Sequence, residues 1–238
     1  PMEREIDLKQ ISDGKLYSAN DMVKAGCNDC AGCSLCCQGM GSSIILDPYD
    51  INSMEKGTGA SFAELMQDKI ELNVVDGIIQ PNIKMQDKTV GNSAMNSRDD
   101  RENTRCAFLS EEGRCSIHSF RPGFCRMFPL GRIYEEGNFH YFLQVHECPY
   151  PGKTKVKIKK WLGLPELPKY ENYVRQWHYF LKDMQKIVKE TQSDAVIKNI
   201  NMHLLQQFYI KPYGDDFFLE FEQRMKEERS VFMHGTGS

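Results

Sequence analysis

The chain is notable first for what is missing from its 238 residues. No run approaches the roughly 18 consecutive apolar residues of a membrane-spanning helix, so no membrane span is expected. The stretch PMEREIDLKQ at the start is polar and charged, without the apolar core of a secretory signal, which points to a cytoplasmic protein. Positive charge is not in excess. The 30 Lys and Arg are outnumbered by 33 Asp and Glu, for a formal net charge of −3, and a nucleic-acid partner is not expected. No phosphate-binding loop, paired-carboxylate motif or Ser/His/Asp order stands out, and no glycine-rich loop follows a predicted strand. The last ninety residues hold no cysteine. Apolar residues at 40% and charged residues at 26% are ordinary for a soluble globular chain, and the length is enough for a real core.

The cysteines missing from the C-terminal part are crowded elsewhere. Five of the nine fall in 27-CNDCAGCSLCC-37, and the rest are Cys106, Cys115, Cys125 and Cys148. Three chemistries compete: a disulfide scaffold, a metal or iron–sulfur centre, and a reactive thiol relay. Disulfide scaffolds belong to short secreted chains that cannot bury a core. This chain is long, and adjacent Cys36 and Cys37 are awkward for disulfide geometry, since neighbouring side chains generally point apart. A relay needs a lowered thiol pKa and an exposed pair, whereas so many thiols together are normally tied down by metal. The metal reading leads.

Cys27, Cys30, Cys33 and Cys36 follow one another at C-x2-C spacing, with Cys37 added at the end. Two intervening residues let a loop curl so that successive thiolates converge. Three in series with a remote cysteine before proline, here Cys148-Pro149, is an arrangement found around [4Fe–4S] clusters. Zinc competes, although a zinc ribbon normally brings a second C-x2-C knuckle, and none follows residue 37. Nine thiols exceed the four of one tetrahedral ion or one cubane, so a second thiolate-bound centre is a further expectation. Four thiolates around zinc or an oxidised cubane leave about two negative charges to compensate. Arg121 and Arg126, flanking Cys125, are the expected counter-charges. His118 and His146 are read as surface or packing residues before ligands.

Along the chain, residues 1–26 read as an N-terminal leader with a turn at Ser12–Lys15 and a brief helix at 20–24. Residues 27–150 form a cysteine-cluster domain, 151–233 a helical region packed on it, and 234–238 a cloning remnant. Within the cysteine-cluster part, Ser43–Leu46 reads as a short buried strand. Asp47-Pro48 opens a helix ending near Gly57, and Ser61-Phe-Ala-Glu64 is a capping box for another. Hairpins are expected at 70–84 around Asp76-Gly77, at 107–117 around Glu111–Gly113, and at 130–145 around Glu135–Asn138. The polar stretch 86–105 reads as a loop. Lys153–Lys160 reads as the solvated face of a short helix closed by Gly163. Tyr173, Trp177, Phe180, Leu181 and Met184 recur at helical spacing, predicting an amphipathic helix over 169–190, with further helices at 195–209 and 216–226. The fold class is therefore α+β: an irregular, metal-organised domain of short β-hairpins and helices, followed by a helical C-terminal region. With modest hydrophobic runs, 27–150 is expected to need metal for its fold.

The pattern Cys30-x2-Cys33-x2-Cys36-Cys37, then Cys106-Ala-Phe-Leu109, Gly113-Arg-Cys115-Ser-Ile-His118, Arg121-Pro-Gly-Phe-Cys125-Arg-Met-Phe-Pro129 and Cys148, resembles the YkgJ family of cysteine cluster proteins. That family is described as zinc- or iron-chelating. The resemblance covers about 27–150 and implies eight metal-binding cysteines, at 30, 33, 36, 37, 106, 115, 125 and 148, with Cys27 as a departure. It includes flagellin lysine N-methylases, so a methylase-like enzyme acting on a protein substrate is one implied function. A [4Fe–4S] protein with a redox or enzymatic role, and a structural zinc module that binds a protein partner, are the others.

Overall fold

A computed structural model of the chain describes residues 8–28, 33–87 and 104–234. Cys30, most of the expected loop 86–105 and the 235–238 tail lie outside the described residues.

Helix α1 (Leu8–Ile11) and strand β1 (Met22–Gly26) come first, followed by a 3-10 turn at Leu35–Cys37. Helices α2 (Pro48–Thr58) and α3 (Phe62–Asp68) lead into the strands β2 (Ile70–Val75) and β3 (Ile78–Ile83). Strands β4 (Met85–Asp87) and β5 (Thr104–Cys106) precede a 3-10 turn at His118–Phe120 and the short helix α4 (Gly123–Met127). Then come β6 (Leu130–Glu135), β7 (Asn138–Leu143), β8 (Thr154–Lys157) and α5 (Ile158–Leu162). The C-terminal part is α6 (Leu167–Glu190), α7 (Asp194–Leu205) with a π-helical turn at Gln206–Ile210, and α8 (Phe217–His234). The class is α+β. The strands pair antiparallel as β1–β8, β2–β3, β4–β5 and β6–β7. No described helix is long and apolar enough to cross a membrane.

Local chemistry explains the elements that were legible. Asp47 caps α2 and exchanges bonds with Asp50 in a capping box, with Pro48 at the first helical turn. Ser61 and Glu64 do the same for α3. The β2–β3 hairpin turns at Asp76-Gly77, both at positive φ, where glycine carries no steric penalty. Gly77 is also a close approach, since an added Cβ would stand 2.7 Å from Val188 Cγ1.

Four segments differ from expectation. Residues 22–26 are strand rather than helix, because Met22, Val23 and Lys24 pair with Lys157, Val156 and Lys155. The same pairing makes 154–157 a strand, with only Ile158–Leu162 helical before Gly163. Ser43–Leu46 contributes a single bridge, Ile45 to Asn82, running beside β3. The 107–117 hairpin is a tight loop closed by one bridge, Leu109 to Cys115.

One buried cluster runs from Val23 through Ile44, Ile83, Cys106 and Leu130 to Tyr173, Trp177, Phe208, Phe221 and Met225. The cysteine-bearing part and the C-terminal helices therefore share a core. Asn201 on α7 ties them further: its Oδ1 accepts from Ile79 N–H at 2.6 Å and its Nδ2 donates to Gly77 O at 3.0 Å.

Candidate metal centre

Three backbone anchors gather thiols from distant parts of the chain. First, Gln38 bridges antiparallel to Arg105, and Gly39 N–H donates to Thr104 O at 3.1 Å. That register sets Cys37 opposite Cys106, while β4 holds Cys106 from the other side through its pairing with Met85. Second, the Leu109–Cys115 bridge and a Ser116 N–H bond to Phe108 O at 2.9 Å fold Cys115 back beside Cys106. Third, Gly123 N–H donates to Asp50 Oδ1 at 2.7 Å, fixing the start of α4, which carries Cys125.

The result is a cluster of five thiols. Cys37 hydrogen-bonds both Cys115 and Cys36, and these bonds push its own thiol far up while lowering Cys36 and Cys115 to about 7. Burial raises Cys106 to about 11, although its sulfur accepts Phe108 N–H at 3.4 Å. Burial also raises Cys125, and the charges of Cys106, Cys36 and Cys115 add to that rise. Among the described residues, no three His, Cys, Asp or Glu side chains stand as they would around a metal ion. Cys36, Cys37 and Cys115 are bonded to one another, with Cys106 and Cys125 near enough to feel their charge, short of a closed coordination sphere.

The remaining sequence-predicted cysteines lie on other segments. Cys27 is buried at the end of β1, and half-buried Cys33 precedes the Leu35–Cys37 turn. Cys148 follows β7, where its carbonyl accepts from Lys153 Nζ. Cys30 lies outside the described residues. The donor set fits the metals it was read for: sulfur thiolates suit zinc and iron–sulfur chemistry, whereas magnesium and calcium take oxygen.

The two expected arginines divide. Arg121 lowers the Cys36 and Cys115 thiols by its charge and is itself steadied by His118, with Nη1 2.9 Å from Nδ1 and 3.2 Å from the His118 carbonyl. His118 therefore supports the counter-charge. Arg126 instead donates to the carbonyls of Leu162, Ser119 and Arg121 at 3.2 to 3.4 Å, bracing α4 against its neighbours. His146 is exposed. Replacing Arg121 by Gln should weaken metal retention by about 10–100-fold, the usual cost of losing an outer-shell partner. Competition with a calibrated chelator measures this; unchanged retention would remove Arg121 from the site.

Sequence reading missed Asp50. It is 4% exposed, accepts from the Asp47 amide in the α2 capping box and holds the Gly123 amide. The sequence reading stopped at Asp47-Pro48, and nothing in the spacing signals a partner 73 positions away. Gly123 was missed as well. An added Cβ there would stand 2.3 Å from Tyr170 Oη, a hydroxyl that also accepts from Arg132 Nη2 at 3.2 Å. Gly123→Ala should therefore cost about 1–3 kcal/mol. Adding Tyr170→Phe removes the obstructing oxygen along with an acceptor of Arg132, so the double variant should lose less stability than the two single losses summed. Thermal unfolding of the three variants tests the contact, and strict additivity would refute it.

The chain matches the family model CxxCxxCC, titled "Putative zinc- or iron-chelating domain", over residues 29–149. No curated protein and no solved structure matches it.

Proposed function

Because the chain belongs to the CxxCxxCC family of zinc- or iron-chelating domains, we propose that it carries a [4Fe–4S] cluster in a cytoplasmic redox or enzymatic role. The ligands are drawn from Cys27, Cys30, Cys33, Cys36, Cys37, Cys106, Cys115, Cys125 and Cys148. The gathering of five thiols from four separate segments, with Arg121 beside Cys36 and Cys115, carries the reading. One ion or one cubane takes four thiolates, so eight or nine in all favour a second centre. The tandem C-x2-C spacing of Cys27, Cys30, Cys33 and Cys36 supports iron–sulfur over a zinc ribbon. A bound [4Fe–4S] supplies one-electron transfer. The chain's own part is to hold the thiolates, offset the charge of Cys36 and Cys115 through Arg121 and bury Cys106 away from water.

The test is iron, zinc and acid-labile sulfide content with a visible spectrum, on protein purified without oxygen. Iron and sulfide near about four each per cluster, with a broad absorbance that bleaches on reduction, is the expected result. Colourless protein holding zinc alone would sink the redox role and leave a structural zinc module that binds a protein partner.

A further inference from the structure

The segment 153-KTKVKIKK-160 carries five lysines and no acidic residue, in a chain whose net charge is −3. Strand pairing arranges these charges. Lys24 on β1 stands directly across from Lys155 on β8, and Met22 across from Lys157. Partners in an antiparallel pair project from the same face. Val23 and Ala25 supply the other face and are buried, so Lys24, Lys155, Lys157 and half-exposed Met22 line the solvent side. Lys159 N–H donates to Ala19 O at 2.8 Å, which brings exposed Lys159 and Lys160 up against the entry to β1.

This arrangement works against the ribbon's own stability, because like charges directly opposite each other destabilise a strand pair. Among the described residues, no carboxylate pairs with Lys24, Lys155, Lys157, Lys159 or Lys160. Asp21, beside Met22 in sequence, is occupied by Ser18, whose N–H and Oγ donate to it at 2.6 and 2.8 Å. A cavity of about 370 Å³ opens at the edge of the row between Lys24 and Lys153, walled by Leu143, Val145 and Tyr150. Lys153 is fixed there by its bond to the Cys148 carbonyl, and an ammonium has two further N–H donors for another acceptor.

We propose that the β1–β8 ribbon docks an acidic segment of a protein partner. Its carboxylates meet Lys24, Lys155 and Lys157, and one acidic side chain enters the cavity between Lys24 and Lys153. Other polyanions fit less well. The row holds no arginine, the residue suited to bidentate phosphate recognition, and the one ring lining the cavity, Tyr150, is half-buried, away from a stacking base. A bilayer presents its headgroups in a plane and leaves an apolar-walled cavity unfilled, whereas a side chain on a protein can fill it. The inference does not depend on which metal the thiols hold.

The probe is a fluorescein-labelled peptide of alternating Glu and Thr, which as a strand sets its carboxylates on one face. It is titrated by anisotropy into full-length protein purified without oxygen. Binding should weaken by about 5–10-fold in Lys155→Glu and should fall with rising salt, as exposed ion pairs do. The same substitution places an opposite charge across from Lys24, so the melting temperature should hold or rise while binding falls. Lys157→Glu, across from Met22, should weaken binding similarly without that gain. The double variant Lys186→Glu/Lys189→Glu, at exposed positions on α6, removes more positive charge and should leave binding unchanged. A peptide that fails to bind, a Lys155→Glu protein that binds as the wild type does, or an equal loss in the α6 variant would each overturn the proposal. Phosphatidylserine vesicles and single-stranded oligodeoxythymidine are titrated alongside. Tighter binding of either than of the peptide would overturn the assignment to a protein partner.

Discussion

Stripping metal under anaerobic conditions should lower the melting temperature by about 10–20 °C while leaving most of the helical signal. Structural thiolate sites contribute on the order of 10 kcal/mol of apparent binding free energy in small peptides. If about half of that is realised as stability here, a shift of 2–4 °C per kcal/mol for a chain of this size gives the stated range. The location of the loss follows from the packing. The thiol-bearing segments 33–40 and 104–127 are turns and single bridges with one three-residue strand and one five-residue helix. Without metal, Cys36, Cys37 and Cys115 are left to bond one another beside buried Cys106 and half-buried Cys125. The helices have their own support, with Trp177 against Phe208 at 4.9 Å and Tyr173 against Phe221 at 4.6 Å. A cysteine-bearing half that unfolds alone would follow from composition, but the shared core from Val23 to Met225 argues for a graded loss. Hydrogen exchange should show protection lost at 33–40 and 104–127 and kept in α6. An unchanged melting temperature would mean that metal does not organise this fold.

What could be read from the sequence was local. Asp47-Pro48, the Ser61–Glu64 box, the Asp76-Gly77 turn and the helical spacing of α6 each carry their signal within a few residues. Strand β1 does not. MVKAG becomes a strand through a partner at 154–157, and a charged, short segment gives no hint of that distance. Lys153–Lys160 misled for the same reason, since its alternating lysines serve a strand before the helix begins. The candidate site divides along the same line. All nine thiols were visible as types and spacings, and Arg121 as a counter-charge. Their grouping was not, because it depends on the Gln38–Arg105 register and on a carboxylate on α2, both set by tertiary contact.

That carboxylate gives the second large effect. Asp50→Ala should destabilise the protein by about 2–4 kcal/mol at pH 5 and reduce metal content. The Asp47 amide loses its acceptor at 3.1 Å and the buried Gly123 amide loses its own at 2.7 Å. Each buried donor left unpaired costs about 1–3 kcal/mol. The effect on metal follows because the Gly123 bond anchors α4, and α4 delivers Cys125. The pH dependence has a definite sign. Burial, and then Asp47 beside it, push the Asp50 carboxyl well above its ordinary range, against the Gly123 and Asp47 amides and Arg132. The folded state therefore holds this proton more tightly than the unfolded chain, so the group's titration favours folding most at low pH. That contribution falls as pH rises from the unfolded value through the raised one. Removing Asp50 should accordingly cost more at pH 5 than at pH 7, measured by urea unfolding of both proteins at each pH. Equal cost at the two values would show an Asp50 carboxylate ionised throughout, with its desolvation offset by Arg132. A metal content unchanged by the substitution would show that α4 needs no anchor from α2 to present Cys125.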